Sequence, residues 1–193
     1  MNIFFPHNIV SFFSTGKFQN TGEDMAEKVI NVFVAGEKEV GKTSLIKAFI
    51  DGKAVPKEPT LEGRFVTKVI KVRQEQITIR IYDTRYVNGS LYIPDAVDYV
   101  ISCYAIDDKK SFKKVKGYFN YFTNAGFTDF KRYIVGLKVD KTREIDPIDG
   151  MKLAESCDAK YFEASPAHFV GIREIFESIR DENISSSSSC VIA

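Results

Sequence analysis

Tryptophan is absent from this chain, and cysteine, methionine and histidine are scarce. Among its 193 residues there are three Cys, three Met and two His. The cysteines, Cys103, Cys157 and Cys190, are too few and too widely spaced for a disulfide framework or a cysteine-rich metal cluster. This scarcity argues against a disulfide-stapled secreted module and favours a reducing, cytosolic compartment.

Long apolar runs are also missing. The longest hydrophobic stretches have only the length of strands, so no transmembrane helix is predicted. The stretch from Met1 to Phe18 is interrupted at Pro6 and has neither a basic start nor a small-residue cleavage site. A secretory signal is therefore not expected.

Neither sign of charge is in excess. The chain has 27 Lys and Arg against 26 Asp and Glu, a formal net charge of +1 at pH 7. Because the two signs are interspersed, no overall field favours nucleic acid or an anionic membrane as a partner. A partner of that kind would need a local patch of charge.

The length and the hydrophobic content of 44% suffice for one domain with a real core. We place this domain at residues 28–182, between an N-terminal extension at 1–27 and a flexible tail at 183–193. The extension contains several phenylalanines without a clear period, and Met25 is an alternative start. It is open whether the extension is a partner-binding arm, an extra strand or disordered, and we assign it no function.

The most informative stretch runs from Gly36 to Thr43 and reads GEKEVGKT. It fits the phosphate-loop pattern G-x-x-x-x-G-K-[ST] and lies between an apolar, strand-like run at 29–34 and a helix predicted at 44–51. Glycines let the backbone curl around an anion, Lys42 adds a point charge, and the Thr43 hydroxyl can ligate magnesium. The pattern therefore predicts a nucleotide-phosphate site rather than a plain strand-to-helix turn.

Beyond this loop, strand-like and helix-like segments alternate, which predicts βαβ units around a mostly parallel sheet. We expect the following segments: an antiparallel edge hairpin at 65–73 and 75–82, strands at 97–106, 131–137 and 159–164, helices at 109–124 and 147–157, and a final helix with one packed face formed by Ile172, Ile175, Phe176 and Ile179. The residues assigned to the core rather than to a site are Tyr99, Cys103, Tyr104 and Phe112.

Several motifs follow one another in the order, and near the spacing, of a known family. After the phosphate loop come Thr60, the pair Asp83-Thr84, the run from Tyr104 to Phe112, the run from Gly136 to Asp140, and Glu163-Ala164-Ser165. From Lys28 onward the chain thus resembles a Ras-superfamily small GTPase. The resemblance implies a three-layer P-loop NTPase fold, with a six-stranded sheet, five helices, and the site beyond the carboxyl ends of the strands.

The resemblance also implies roles for individual residues. Lys42 would bridge the β- and γ-phosphates of GTP, while Thr43, Thr60 and Asp83 would hold Mg²⁺. Thr60 would report the γ-phosphate, although it reads equally well as an ordinary loop residue. The implied nucleotide-binding residues are Gly36, Lys38, Glu39, Val40, Gly41, Lys42, Thr43, Ser44, Thr60, Lys138, Asp140, Ser165, Pro166 and Ala167.

Two departures from the family pattern affect hydrolysis. Val87 occupies the position of the glutamine that orients the attacking water, and aligning Gly89 instead leaves Ser90 there. The interval from Asp83 to Ile106 is also short, so a truncated second switch is expected. Lys38 and Glu39 replace small residues, where a long side chain would obstruct an incoming arginine finger, although both read equally well as solvated loop charges. No catalytic residue is assigned, and low or lost hydrolysis is predicted.

Two further departures affect recognition of the base. Asp140 would accept the N1 and N2 protons of guanine, with Lys138 lying along the ring. Leu137 stands where the family has an asparagine, and Pro166 stands where a backbone N–H donates to guanine O6. Losing a buried hydrogen bond costs about 1–3 kcal/mol, so weakened binding is expected unless Ala167 N–H substitutes.

The chain ends in a serine run followed by Cys190-Val191-Ile192-Ala193. This ending matches a prenylation signal, and its terminal alanine favours a farnesyl group. A single lipid gives only marginal attachment, so a second signal or a partner such as a prenyl-binding chaperone would be needed. We expect a monomeric, peripheral protein on the cytoplasmic face of a membrane.

Three functions are weighed. The favoured one is a GTP-binding switch that recruits effectors through its switch regions and turns over slowly. The second is a pseudo-GTPase interaction module that binds nucleotide weakly or not at all. The third, a small kinase that uses the same loop, is less favoured because the Lys138-Val139-Asp140 remnant is a guanine-reading feature.

Overall fold

The structure is a computed structural model that describes residues 28–55, 65–72, 75–83, 86–87, 90–91 and 96–185. The extension at 1–27, Thr60 and Cys190 lie outside the described residues, so the predictions that concern them remain predictions. The elements in chain order are β1 (Lys28–Gly36), α1 (Lys42–Asp51), β2 (Val66–Val72), β3 (Glu75–Asp83), β4 (Tyr86–Val87), β5 (Ser90–Leu91), β6 (Tyr99–Ala105), α2 (Lys109–Asn124), β7 (Lys131–Leu137), α3 (Pro147–Ser156), β8 (Ala159–Ala164) and α4 (Ile172–Ser185).

Six strands form one sheet in the order β2-β3-β1-β6-β7-β8. The hairpin partner β2 is antiparallel to β3 at one edge, and every other neighbouring pair is parallel. The predicted mostly parallel sheet with an antiparallel edge hairpin is therefore confirmed. Because parallel strands share a direction, the segments that follow β1, β3, β6, β7 and β8 all leave from the same edge.

Helices cover both faces of the sheet and complete the predicted three layers. On one face, Leu45 of α1 and Phe176 of α4 pack into the same buried cluster. On the other face, Phe119 of α2 and Ala154 of α3 belong to a second cluster. The predicted packed face of the final helix is confirmed, because Ile172, Ile175, Phe176 and Ile179 are all at most 1% exposed. Tyr99, Cys103 and Tyr104 are buried as predicted, and Phe112 packs against the second cluster.

The number of helices differs from the expectation. The resemblance implied five, whereas the described residues form four. Between β3 and β6 the described residues form the two-residue strands β4 and β5, which pair Tyr86 with Leu91 and Val87 with Ser90. A tight hairpin needs fewer residues than a helical crossing, which agrees with the short interval noted in the sequence. In the described part of the chain, no helix is long and apolar enough to span a bilayer.

Helix α1 starts two residues earlier than predicted, at Lys42. Gly41 precedes it with a φ of 110°, a conformation that only glycine adopts easily. The turn is thus completed inside the phosphate loop, and the lysine and threonine that follow lie in the first turn of the helix.

A group of polar side chains at the amino edge of the sheet fixes α4. Glu182 accepts a hydrogen bond from the Tyr133 hydroxyl at 2.7 Å, and its carboxylate lies 2.6 Å from the ammonium groups of both Lys131 and Lys160. Burial alone would raise the pKa of Glu182, but these cationic and hydrogen-bonding partners lower it to about 2. At the same corner, Lys28 Nζ donates to the Asn183 carbonyl oxygen at 3.0 Å, so β1 begins beside the end of α4.

We expect Glu182→Gln to lower the free energy of unfolding at neutral pH by about 1–2 kcal/mol, because solvent screening reduces the full effect of the pKa shift. A carboxylate whose pKa is lowered by folding stabilises the fold at pH values above its pKa in the unfolded chain, which is near 4.5. This contribution is lost as the pH falls toward 2. Urea unfolding of both proteins between pH 7 and pH 3 measures this. The difference between them should shrink as the pH falls. A difference that is constant with pH would contradict the prediction.

Candidate nucleotide site

The phosphate loop joins β1 to α1 at the carboxyl edge of the sheet. Gly36 lies beside Cys103 of β6, and a Cβ atom added to Gly36 would lie 2.4 Å from the Cys103 carbonyl oxygen. Glu39 and Gly41 have φ angles of 66° and 110°, so the backbone reverses before the helix begins. Such a loop turns successive backbone N–H groups, together with the positive end of the helix, toward one point in space.

Lys42 folds back over this loop. Its ammonium donates to the carbonyl oxygens of Gly36 and Glu37, at 2.8 Å each. The charge is thus held at the rim of the loop on a side chain that is only partly buried. An ammonium in this position fits the phosphate-binding role implied by the motif.

Thr43 and Asp83 meet across the start of α1 and the end of β3. The Thr43 hydroxyl donates to Asp83 Oδ2 at 2.5 Å, although the two residues are 40 positions apart in the chain. The described residues contain no group of three or more acidic, histidine or cysteine side chains that could hold a metal on their own. One hydroxyl and one carboxylate fit Mg²⁺, which is usually bound by one or two protein oxygens together with phosphates and water.

The other side chains of the loop have different environments. Lys38 and Glu39 extend into solvent, with 92% and 83% of their side chains exposed, whereas Val40 is buried. This placement matches the interpretation of Lys38 and Glu39 as solvated loop charges. Glu37 accepts a hydrogen bond from the Tyr118 hydroxyl at 2.8 Å, which links the loop to α2.

The motifs predicted to recognise the base follow β7 and β8 on the same edge. Ser165 Oγ donates to Asp140 Oδ1 at 2.6 Å, and this hydrogen bond lowers the pKa of the Asp140 carboxyl. Lys138 has a φ of 66°, and its ammonium lies 3.8 Å from Asp107 Oδ1. Asp140 is therefore an ionised acceptor held in one orientation, which suits the paired donors of a guanine edge.

Pro166 and Ala167 continue this second loop. Pro166 is buried, and its carbonyl oxygen accepts a hydrogen bond from Val55 N at 3.0 Å. Ser165 N–H donates to the carbonyl oxygen of Val170, so it is already engaged in the loop. Within the described ranges, Ala167 N–H has no hydrogen-bond partner, which leaves it available as the substitute donor.

Leu137 fills the position of the missing asparagine by packing. It is fully buried, and a Cβ atom on Gly41 would lie 3.6 Å from its Cδ1 atom. Leu137 also belongs to the same buried cluster as Val40 of the phosphate loop. The leucine therefore adjoins the loop through packing and offers it no hydrogen bond.

Two links between loops were not found by the sequence reasoning. The Arg143 guanidinium donates two hydrogen bonds to the Glu163 carboxylate, at 2.7 and 2.8 Å. These bonds connect the loop that contains Lys138 and Asp140 to the end of β8. The second link is the Tyr118–Glu37 hydrogen bond. The partners are 20 and 81 positions apart, and no local pattern identifies such pairs.

Most of the sequence-predicted site residues lie at this one edge, in the two neighbouring groups described above. Ser44 lies in the first turn of α1 and is half-buried. Val87 pairs with Ser90 in the β4–β5 hairpin, as the backbone shows. Thr60 and Gly89 are outside the described ranges.

Comparison with known proteins identifies the family. The family model described as "Ras family" matches residues 31–185. The chain is 32% identical to the Ras-related protein Rab-21 of Bos taurus over 153 residues, which cover 75% of this chain and 68% of that protein. This chain belongs to the Ras family.

Two other Ras-family relatives are more distant. A GTP-binding protein Rheb homolog from Drosophila melanogaster is 27% identical over 183 residues, which cover 88% of this chain and all of that protein. The Ypt/Rab-type GTPase ypt71 of Schizosaccharomyces pombe is 25% identical over 174 residues, covering 83% and 84% of the two chains. The resemblance read from the motifs is confirmed, and the protein is a small GTPase that works as a GTP-binding switch.

Proposed function

We propose that this Ras-family protein signals by nucleotide occupancy and that hydrolysis of its GTP is weak. The Thr43–Asp83 pair beside the phosphate loop carries the proposal, because its two oxygens and the Lys42 ammonium together suit a magnesium-bound triphosphate. The loop's backbone N–H groups and Lys42 bind the phosphates. Bound Mg²⁺ supplies neutralisation of the charge on the phosphate oxygens.

The base is held by the second group of residues. Asp140, kept ionised and oriented by the Ser165 hydroxyl, accepts both donors of the guanine edge. Adenine lacks those two donors, so the arrangement favours guanine. Lys138 lies along the ring, and Ala167 N–H takes the place of the N–H that Pro166 lacks.

The proposal of weak hydrolysis rests on Val87, which occupies the position of the family's catalytic glutamine. Its side chain has no polar atom with which to position the attacking water, which the family's glutamine does. Exposed Lys38 and Glu39 extend from the loop where an arginine finger would approach.

In the GTP-bound state, Thr60 and the short second switch form the surface that recruits effector proteins. A prenyl group on Cys190 attaches the monomer loosely to a cytoplasmic membrane face, and a prenyl-binding chaperone carries it between membranes.

The nucleotide content of freshly purified protein tests the binding part. Protein is denatured, and the released nucleotide is identified by chromatography. GDP or GTP in near-stoichiometric amount supports the proposal. An empty site that takes up neither labelled GDP nor labelled GTP in the presence of Mg²⁺ would refute it.

Single-turnover hydrolysis tests the second part separately. Protein loaded with radiolabelled GTP is followed for release of phosphate, beside Rab-21 of Bos taurus as a family reference. We expect release slower than that of the reference. A rate equal to that of the reference would refute weak hydrolysis but leave nucleotide binding intact.

Two observations favour the alternative function, an interaction module without nucleotide. Leu137 is fully buried with an apolar side chain, and Pro166 has no N–H for the base. The ionised Asp140 and the Thr43–Asp83 pair speak against this alternative, because an unused site does not need them. The nucleotide-extraction result decides between the two functions.

We expect Pro166→Ala to tighten guanine nucleotide binding by about fivefold, because alanine restores a backbone N–H near the base at a net value of about 1 kcal/mol. The dissociation rate of a fluorescent GDP measures the effect. Pro147→Ala, at the start of α3, is the matched control and should leave that rate unchanged. An unchanged or faster dissociation from the Pro166 variant would show that this N–H does not reach the base.

A further inference from the structure

Helix α2 presents a strongly cationic surface to solvent. Its sequence is KKSFKKVKGYFNYFTN, with five lysines and no acidic residue. All five lysines are exposed, and we call them the lysine face: Lys109, Lys110, Lys113, Lys114 and Lys116. The chain as a whole is nearly neutral, so this helix is the local patch of charge that the composition does not reveal.

The five lysines lie on one side of the helix. At about 100° per residue they span roughly 160° of the circumference. Tyr121, with 37% exposure, lies within the same arc. The buried residues of the helix occupy the opposite side: Ser111, Val115, Phe119 and Phe122. The division between a core face and a cationic face is therefore complete.

Electrostatics within the helix does not explain the lysine face. Lys109 and Lys110 lie in the first turn, where the helix dipole favours acidic side chains, and that turn contains none. Lys109 and Lys113, like Lys110 and Lys114, are spaced i, i+4, where like charges destabilise a helix by about 0.2–0.5 kcal/mol per pair. These positions cost stability, so a benefit outside the fold is needed to explain them.

The nearby acids that the structure describes do not neutralise these lysines. None of the five has an ion-pair partner among the described residues. The Asp108 carboxylate accepts from Lys110 backbone N–H at 2.8 Å, as the cap of the helix. Glu37 accepts from the Tyr118 hydroxyl. The ammonium groups are thus left to attract something outside the protein.

We propose that the lysine face docks on a membrane surface containing anionic phospholipid. All five cations are lysines, which act as point charges and suit a diffuse layer of headgroups, whereas planar arginines suit paired recognition of single carboxylates. An exposed tyrosine among them suits the boundary between headgroups and water. Clusters of four to eight Lys or Arg residues on an amphipathic helix bind anionic lipid. Each cation near the membrane surface contributes about 1 kcal/mol to the binding free energy.

This inference goes beyond the proposed function, because it uses neither the nucleotide nor the switch regions. It also identifies a source for the second signal that a single lipid anchor requires, since one acyl or prenyl chain needs a basic patch or a second chain for stable attachment.

The test uses the full-length, unprenylated protein with sucrose-loaded vesicles and co-sedimentation. Vesicles of phosphatidylcholine alone are compared with vesicles that also contain phosphatidylserine. The variant carries Lys110→Gln, Lys113→Gln and Lys114→Gln. A control variant with the same loss of charge carries Lys47→Gln, Lys53→Gln and Lys152→Gln, which lie outside α2.

We expect wild type and control to bind the anionic vesicles, and the α2 variant to bind about tenfold more weakly or worse. Binding should also fall steeply with added salt. The α2 variant should unfold at a denaturant concentration equal to or above that of wild type, because repulsion along the helix is relieved. That result separates lost binding from lost folding.

Two results would overturn the proposal. One is equal binding of wild type to neutral and anionic vesicles, which would leave an acidic protein surface as the partner of the lysine face. The other is equal loss of binding in the α2 variant and the control variant, because that would show a response to total charge rather than to this face. Nucleotide binding by both variants is measured in parallel, and its retention keeps this test independent of the proposed function.

Discussion

Replacing Lys42 by alanine should lower the affinity for GDP and GTP by at least about a hundredfold. The ammonium lies 2.8 Å from the carbonyl oxygens of Gly36 and Glu37, at the rim of the phosphate loop. A hydrogen bond to a charged group contributes about 1.5–3 kcal/mol, and Lys42 would make more than one such bond to a triphosphate. Equilibrium titration with a fluorescent GDP measures the loss.

Lys47→Ala is the control for this prediction. Lys47 lies in the same helix, is half-buried, and is outside the phosphate loop. We expect it to bind nucleotide like wild type. Thermal unfolding without nucleotide should show that the Lys42 variant is folded, although loss of its two loop contacts lowers its stability slightly. An affinity for GDP within threefold of wild type would place the phosphates elsewhere, and the occupancy mechanism would fail with them.

Replacing Gly36 by alanine should have the largest effect on stability, a loss of about 3 kcal/mol or more in the free energy of unfolding. The added Cβ would lie 2.4 Å from the backbone carbonyl oxygen of Cys103, and the φ of 152° disfavours any side chain. Because the obstacle is the backbone of the central strand β6, it cannot rotate out of the way. Urea denaturation measures the change, and nucleotide affinity should fall with it.

Gly117→Ala is the same substitution at a glycine where there is space for a Cβ atom. Gly117 lies within α2, nothing lies within 4 Å of an added Cβ, and its φ is helical. Alanine should therefore stabilise the fold by about 0.5–1 kcal/mol. Opposite signs for the two glycine variants would confirm that contact at Gly36, rather than the chemical change, controls the result. Equal effects would contradict this reasoning.

The sequence predicted much of the fold because its signals are local. The phosphate-loop pattern placed Gly36 and Lys42, and apolar runs predicted β7 with its observed bounds and β6 to within two residues at each end. The helical spacing of Ile172 and Phe176 predicted the buried face of α4. Each of these signals fits within one element, where periodicity and turn chemistry act directly.

The contacts that assemble the site are long-range and escaped prediction in detail. The Thr43–Asp83 hydrogen bond joins residues far apart in sequence, and its existence depends on the register that aligns Val34 with Asp83. The Tyr118–Glu37 and Arg143–Glu163 links have no sequence signature at all. The resemblance implied five helices and the described residues form four, with the short β4–β5 hairpin between β3 and β6.

The start of β1 and the end of α4 meet where Lys28 Nζ donates to the Asn183 carbonyl oxygen. Both described ends of the domain emerge at one corner, across the sheet from the phosphate loop. A short peptide bridge between them should yield a circular permutant whose new ends open in a distant loop. By the same geometry, a fluorescent protein joined directly to residue 28 or residue 185 would start on the side of the domain remote from the phosphate loop.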